Sequence, residues 1–387
     1  MDRPFMKGCR RLGCVVALLG AFCGSAVAQI IETPATHAVI MDYETGEVLF
    51  EKNGAAPMIP ASMTKMMTVY TVLDRVKRGE IALTDKFTVS EDAWRRGGWN
   101  SGGSTMGLGV GDTPTVEELL RGVIVLSGND ACIVLAEGLA GSEPAFAREM
   151  TALAREIGLE TASFTNTTGL DGPEHRVSAI DLAELAARKI RYFPEFYEIY
   201  AVGEYEWRGI KQSNRNPLLG TMAGVDGLKT GHLSVSGYGL TASGVRDGTR
   251  RIIVINGLES ANARAREAER MMRTAYSAFD IKTLTADGLD LPALDVWMGD
   301  APTVPVTFEG GITVSGHKRA MEKAAVRIEY DGPIEAPVVA GTTLADLVIE
   351  VEGKAPVRMP LTAEEDVPAV GFVGRALEGL RLMIEGG

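Results

Sequence analysis

Residues 60–67 read Pro-Ala-Ser-Met-Thr-Lys-Met-Met and contain the pattern Ser-x-x-Lys. A proline followed by an apolar run predicts a helix that opens close to Ser62. Residues three apart on a helix share a face, so we expect the Lys65 amine to reach the Ser62 hydroxyl. Serine becomes a nucleophile beside a base, and lysine is a base when burial or a nearby positive charge, here from Lys229, lowers its pKa. Alone, the pattern also fits a solvated helix surface.

A second motif, Ser127-Gly128-Asn129, lies where one predicted helix ends and another begins. Thr115 and Glu118 have capping-box spacing and start the first of these helices. The Ser127 hydroxyl could relay a proton to a leaving amine, and the Asn129 amide could hold a substrate amide. A simple helix-ending loop is the alternative interpretation of this motif.

A third motif, Lys229-Thr230-Gly231, precedes a strand-like run and is expected to lie on a strand itself. Lys229 would attract a carboxylate, Thr230 would hydrogen-bond to it, and Gly231 would let a substrate backbone approach closely. His232 follows directly and either tunes the site or has a structural role. An edge strand protected by a lysine is the alternative.

The apolar patterns around these motifs predict an α+β domain over residues 29–285. A hairpin is expected over residues 38–50, and Asp247-Gly248 predicts the turn between two later strands. Strands at both ends of a helical middle indicate an antiparallel sheet with helices packed on it. The expected helices beyond the motifs cover residues 131–139, 146–157, 178–192 and 263–279.

The remaining residues predict two further elements. Residues 286–370 contain short apolar runs between turns, which indicate a small β domain with strands near 304–308, 325–330 and 347–351. Residues 371–387 are expected to form an amphipathic helix. This helix either contacts a membrane surface, docks on its own protein or frays. Its apolar face is formed by Val373, Leu377, Leu380 and Ile384.

Residues 1–28 are typical of a secretory signal peptide, with a basic start, a short apolar run and Ala-Val-Ala at the end. Cleavage before Gln29 would place the mature protein in the periplasm. A transmembrane anchor and a lipoprotein attached at Cys23 are the alternatives, although the apolar run is short for a bilayer. Cleavage would leave Cys132 as the remaining cysteine, which predicts a buried apolar side chain and no internal disulfide.

The charge and the histidines argue against several classes of protein. The net charge is −12, and removal of the basic leader would make it more negative, which disfavours nucleic-acid binding. No two histidines have the spacing of metal ligands, and no glycine loop is typical of a phosphate site. We therefore expect no metal and no cofactor. The histidines are His37, His175, His232 and His317.

The three motifs, in this order and on these predicted elements, resemble the low-molecular-mass penicillin-binding proteins of the D-alanyl-D-alanine carboxypeptidase type. The expected first domain is thus of the β-lactamase and transpeptidase type. The resemblance covers residues 37–280 and extends more faintly to the β domain and the final helix. Other segments that resemble the family are residues 42–49, 166–171, 214–216 and 225–232, with His175.

The resemblance implies an enzyme that removes the terminal D-alanine from peptidoglycan pentapeptides ending in D-Ala-D-Ala and that penicillin acylates. Ser62 would attack the peptide carbonyl, Lys65 would take the proton, and Ser127 would help protonate the leaving D-alanine. The amides of Ser62 and Leu233 would form the oxyanion hole. The residues implied for substrate binding are Asn129, Lys229, Thr230, Gly231, His232 and Leu233.

Two departures from the family pattern affect the expected substrate preference more than the reaction. His175 and Ser178 lie one residue further apart than expected, and residues 97–103 form an unusual glycine-rich stretch near the expected cleft rim. A serine β-lactamase is the closest alternative, but no Glu-x-x-x-Asn segment stands out between the second and third motifs. A non-catalytic wall-peptide binder is the other alternative.

Overall fold

The computed structural model describes residues 31–170, 172 and 174–371. Contacts divide them into two compact units, residues 31–278 and residues 279–371. The expected signal peptide lies outside the described residues, and so do residues 372–387 of the expected C-terminal helix. Residues 279–285 belong to the second unit, whereas the sequence analysis assigned them to the first, because the strand Phe279–Leu284 pairs with Ile312–His317.

The first unit contains a five-stranded antiparallel sheet among the described residues. Its strands and those of a separate hairpin are β1 (His37–Asp42), β2 (Val48–Lys52), β3 (Glu204–Trp207), β4 (Ile210–Ser213), β5 (Val225–Leu233), β6 (Gly237–Arg246) and β7 (Thr249–Leu258). The sheet order is β2-β1-β7-β6-β5, so β5 with the third motif lies at one edge. Asp247 and Gly248 adopt φ of 51° and 77°, which confirms the predicted hairpin turn.

Helices pack around this sheet, and most of those described begin at a polar capping residue. They are α1 (Lys65–Lys77), α2 (Glu91–Gly97), α3 (Val116–Val125), α4 (Asn129–Ala140), α5 (Glu143–Glu156), α6 (Ala179–Tyr192), α7 (Pro194–Tyr197) and α8 (Ala261–Ser277). Thr115 and Glu118 form both bonds of the predicted capping box at α3. Ser90, Ser142 and Ser178 cap α2, α5 and α6 by accepting a backbone N–H, which satisfies an otherwise unpaired donor.

The main hydrophobic core lies among these helices and the sheet. Its members are apolar side chains of α1, α3, α4 and α6 together with residues of β1 and β7. Cys132 on α4 is fully buried in this core, as predicted, and burial raises the pKa of its thiol to about 12. The helices that carry the first two motifs therefore pack on this core.

The second unit is rich in short strands around its own apolar core. Its elements are β8 (Phe279–Leu284), β9 (Leu294–Trp297), β10 (Thr303–Val304), β11 (Val306–Thr307), β12 (Ile312–His317), α9 (Lys318–Met321), β13 (Ala325–Glu329), β14 (Ile334–Glu335), β15 (Thr343–Glu350) and β16 (Val357–Ala363). The predicted strand at 304–308 is interrupted at Pro305, which lacks a donor for strand pairing. In the part of the chain that is described, no helix is long and apolar enough to cross a bilayer.

Candidate active site

The first motif, which holds the candidate nucleophile Ser62, forms a tight turn before helix α1, called the nucleophile turn below. Residues Ala61–Thr64 form a 3-10 helix, and the α-helix begins only at Lys65. The sequence pattern predicted that Ser62 lies in the opening of the helix itself. Ala61 has a φ of 50°, a left-handed conformation that prevents a regular helix from starting there. Residues three apart eclipse each other in a 3-10 turn, which brings the Lys65 Nζ to 2.9 Å from the Ser62 Oγ.

The Lys65 amine is held by two acceptors in a nearly dry environment. Its side chain is 1% exposed, and its Nζ donates to the Ser62 hydroxyl and, over 2.7 Å, to the Thr168 carbonyl. Burial lowers the pKa of Lys65, whereas the negative charges of Glu143 and Asp130 oppose that shift. Cys132 stays a neutral thiol in the physiological range, so it adds no charge there. The result is an amine that loses its proton more readily than an exposed lysine.

Thr64 in the same turn is anchored by a buried histidine. The Thr165 amide donates to His175 Nδ1 over 3.1 Å, so the other ring nitrogen carries the hydrogen. His175 Nε2 lies 2.7 Å from the Thr64 hydroxyl and therefore donates to it. The segment with the looser His175 spacing thus supports the nucleophile turn.

The second and third motifs meet through one hydrogen bond. Lys229 Nζ donates to Ser127 Oγ over 2.9 Å, and both side chains are buried. Burial and then the positive charge of Lys65 lower the pKa of Lys229 well below its usual value. We expected either burial or the positive charge of Lys229 to lower the pKa of Lys65; burial is the cause there, and the repulsion between the two lysines is seen at Lys229 instead.

The third motif lies on edge strand β5, where its residues point in different directions. Thr230 is buried, Leu233 ends the strand opposite Gly237, and exposed His232 stacks on Tyr238 with ring centroids 3.8 Å apart. A Cβ on Gly231 would lie 2.6 Å from the Pro60 carbonyl oxygen. The absent side chain thus lets β5 contact the nucleophile turn, in addition to any approach by substrate.

Asn129 and the glycine-rich stretch lie side by side. Asn129 begins α4 after the predicted helix break, and its side chain is 5% exposed. A Cβ on Gly103 would lie 2.6 Å from Asn129 Nδ2, so the stretch needs glycine to pass this amide. Trp99 of the same stretch is half exposed and packs over Gly107. The glycine-rich stretch that contains Trp99 therefore lies beside the second motif.

Two of the motifs contain or adjoin a residue with a strained backbone. Ser127, like Ala61, is a non-glycine residue with positive φ, here 60°. Such conformations cost about 1–3 kcal/mol each and persist where surrounding contacts enforce them. At Ser127 the strain aims the hydroxyl at Lys229.

Sequence reasoning missed the residues that position the site residues through buried hydrogen bonds. Thr168 supplies a carbonyl to Lys65, and Glu143 accepts hydrogen bonds from Thr167. The Asp130 carboxylate accepts from the backbone amides of residues 106–108 and fixes the loop over the second motif. Backbone carbonyls leave no sequence signal, but buried acids after Ser127-Gly128-Asn129 and at a helix start could have been flagged.

The arrangement provides a hydroxyl beside a buried amine, a second hydroxyl beside a second amine, and an edge strand. These groups can support nucleophilic attack on a carbonyl and binding of an anionic end group. No group of three or more His, Cys, Asp and Glu side chains is positioned to hold a metal ion among the residues described.

Two family models match the chain. One, described as D-alanyl-D-alanine carboxypeptidase, matches residues 24–260. The other, described as the C-terminal domain of penicillin-binding protein 5, matches residues 279–369.

Individual relatives agree with these models. The chain is 36% identical to the D-alanyl-D-alanine carboxypeptidase DacA of Haemophilus influenzae over 90% of this chain and 89% of that protein. It is similar to the structure of the carboxypeptidase DacD from Francisella tularensis, with a TM-score of 0.75, 29% identity and coverage of 88% and 95%. It is also similar to penicillin-binding protein D2 of Listeria monocytogenes in its ampicillin-bound form, with a TM-score of 0.56, 29% identity and coverage of 63% and 97%.

These likenesses confirm the expected α+β fold of the transpeptidase type with a small β domain after it. The match extends through both units and includes all three motifs. The chain therefore belongs to the D-alanyl-D-alanine carboxypeptidase family of penicillin-binding proteins.

Proposed function

We propose that this protein is a serine D-Ala-D-Ala carboxypeptidase that uses Ser62 to release the terminal D-alanine from peptidoglycan pentapeptides. The observation that carries this proposal is the 2.9 Å contact between the Ser62 hydroxyl and the buried Lys65 amine. A neutral amine at this distance can take the hydroxyl proton as the oxygen attacks.

The acylation step follows from the contacts of three side chains. Ser62 Oγ bonds to the carbonyl carbon of the penultimate D-alanine while its proton moves to Lys65 Nζ. The peptide C–N bond then breaks as Ser127 donates its hydroxyl proton to the departing D-alanine nitrogen and regains a proton from Lys65, which becomes neutral again. Water hydrolyses the resulting ester and regenerates the Ser62 hydroxyl. The amides of Ser62 and Leu233 stabilise the oxyanion, and such donors contribute about 3–4 kcal/mol each.

Substrate binding uses the edge strand and the start of α4. Lys229 and Thr230 hold the terminal carboxylate of the substrate, and the Asn129 amide bonds to its peptide backbone. Gly231 lets the peptide lie against β5. His232, exposed on the same strand, contacts the substrate at the rim of the cleft. This end-group recognition explains a preference for removal of a single terminal residue.

β-Lactam antibiotics react at the same serine. Attack by Ser62 opens the lactam ring, and the leaving nitrogen remains tethered to the acyl group. Because this leaving nitrogen cannot diffuse away from the acyl group, the adduct is hydrolysed slowly. Penicillin is therefore an inhibitor that marks the nucleophile.

We place the enzyme in the periplasm, after removal of residues 1–28 as a signal peptide. The amphipathic pattern of residues 371–387 supports peripheral contact with the outer face of the inner membrane. Fractionation of cells with and without these last residues would test the contact.

The decisive experiment maps the penicillin adduct. Mass spectrometry of the intact protein should show one added penicillin, located on the peptide that contains Ser62. Ser62→Ala should show no adduct and no D-alanine release from a pentapeptide. An adduct elsewhere or retained release would refute the assignment, and rapid turnover of nitrocefin would indicate a β-lactamase.

A further inference from the structure

Glu143 is a buried acid that the mechanism above does not use. It is the first residue of α5, and its side chain is 4% exposed. One carboxylate oxygen accepts from the Thr167 amide over 3.0 Å and from the Thr167 hydroxyl over 2.8 Å. The other oxygen pairs with the Arg96 guanidinium of α2. A single carboxylate thus joins α2, α5 and the segment at Thr167.

That segment holds the face of α1 that carries Lys65. The Thr167 carbonyl accepts from the Thr68 hydroxyl over 2.7 Å, and the next carbonyl, of Thr168, accepts from Lys65 Nζ over 2.7 Å. Displacement of Thr167 would therefore move the acceptor that orients the Lys65 amine. Catalytic geometry tolerates little movement, since a displacement of 1 Å can cost about 100-fold in rate.

The charges facing Lys65 come from three elements. Asp130 lies on α4, Glu143 on α5 and Lys229 on β5, whereas the Cys132 thiol on α4 is neutral. Glu143 raises the pKa of Lys65 against the effect of burial. Arg96 is 41% exposed and shares its charge between Glu143 and Asp92, so it partly offsets the Glu143 carboxylate.

We propose that Glu143 is a positioning residue for acylation, whose carboxylate fixes Thr167 and sets both the place and the charge environment of the Lys65 amine. This inference rests on the proposed role of Lys65 as the base. Arg96 of α2, next to the glycine-rich stretch, pairs with Glu143 and partly offsets the influence of its negative charge on the Lys65 amine.

The test separates charge from position with a set of variants. Glu143→Gln removes the charge but keeps an oxygen that can accept from Thr167, whereas Glu143→Ala removes both. Arg96→Gln removes the counter-charge at a half-exposed position, and its thermal unfolding shows whether the loss of the Glu143 partner affects folding. Glu149→Gln is the matched control, because Glu149 lies on the same helix but pairs with the distant Arg75.

Each variant is measured by kcat and KM for D-alanine release across pH and by the rate of labelling with fluorescent penicillin. A base acts when neutral, so kcat/KM rises with pH as Lys65 loses its proton. The pH at which kcat/KM reaches half its maximum on the acidic side, its acid-side midpoint, therefore follows the pKa of Lys65. Glu143→Gln should move that midpoint to lower pH and Arg96→Gln to higher pH, each by about half a unit. Glu143→Ala should lower kcat and the labelling rate about tenfold or more at every pH, with a smaller change in KM.

The inference is overturned if Glu143→Gln matches Glu149→Gln in its pH profile, or if Glu143→Ala labels at the wild-type rate. It is also overturned if Arg96→Gln shifts the midpoint in the same direction as Glu143→Gln. Loss of the proposed function would look different, because wild type and Glu149→Gln would then release no D-alanine or carry no adduct on Ser62. Thermal unfolding of each variant identifies any rate loss caused by misfolding.

Discussion

Lys229 on the edge strand donates a hydrogen bond to Ser127 at the break between α3 and α4, across 102 residues of chain. This bond joins the sheet to the helical part of the first unit. It also places an amine beside the hydroxyl that we propose as the proton relay. The same amine is our proposed anchor for the substrate carboxylate.

Lys229→Ala should therefore weaken reaction with carboxylate-ended peptides more than with amide-ended ones. A hydrogen bond to a charged group contributes about 1.5–3 kcal/mol, so kcat/KM should fall about 10- to 100-fold on the carboxylate substrate. Release of the terminal residue from the two matched peptides measures this difference. Lys211→Ala, at an exposed position on β4, is the control and should leave both rates unchanged. An equal loss on both substrates would contradict the carboxylate role.

Lys65→Arg should prevent acylation while retaining the positive charge. Arginine does not lose its proton in proteins, so it cannot accept the Ser62 proton. In the wild type, burial lowers the pKa of Lys65, and labelling by fluorescent penicillin should rise as the pH increases through that lowered pKa. The variant should show at least about 1,000-fold slower labelling with no such rise. Labelling of Lys65→Arg at a rate that follows the wild-type pH curve would exclude Lys65 as the base.

Gly169→Ala should disturb the nucleophile turn, because Gly169 packs directly against the backbone of Ala61. Gly169 has a φ of 83°, and a Cβ there would lie 1.8 Å from the Ala61 carbonyl oxygen. The free energy of unfolding should fall by roughly 3 kcal/mol or more, and penicillin labelling should fall with it. Gly158→Ala is the matched control, because its φ of 86° is similar but nothing lies within 4 Å of the added atom. Chemical denaturation should therefore show a loss of only about 1 kcal/mol for the control.

Lys189→Met should change how stability depends on pH. Lys189 is 1% exposed, donates to the Met66 carbonyl over 3.2 Å and lies near the rings of Tyr70 and Tyr200. Burial holds the pKa of its amine well below the usual value. The unfolded chain therefore binds a proton that the folded chain binds weakly, and stability rises with pH between the folded pKa and about 10.4.

Methionine carries no titratable group, so Lys189→Met removes this pH-dependent term from the free energy of unfolding. The variant should gain roughly 1–3 kcal/mol in the free energy of unfolding at pH 7 and show a flatter rise toward alkaline pH. Denaturant titrations at several pH values measure both quantities. Parallel curves for the two proteins would show that the Lys189 amine does not titrate between the folded and unfolded states.

Local pattern was enough to predict much of the fold. The capping box at Thr115 and Glu118, the Asp247-Gly248 turn and a helix break at the second motif appear as expected, although the next helix begins at Asn129 and not at Ala131. Each depends on residues within a few positions of one another, so short-range hydrogen bonding and backbone preference decide it. The helix start at Ser62 was predicted incorrectly, because the left-handed Ala61 conformation depends on packing against distant segments such as Gly169.

By itself, the sequence determined which chemical groups are present, in what order, and on which kinds of element they lie. It placed Ser62 one turn from Lys65 because that relation depends on local helical geometry. Tertiary structure alone decided that Thr168 would accept from Lys65, that Glu143 would hold Thr167 and that burial would lower the pKa of both site lysines. Those outcomes depend on which distant segments exclude water from an amine, and no local pattern specifies that exclusion.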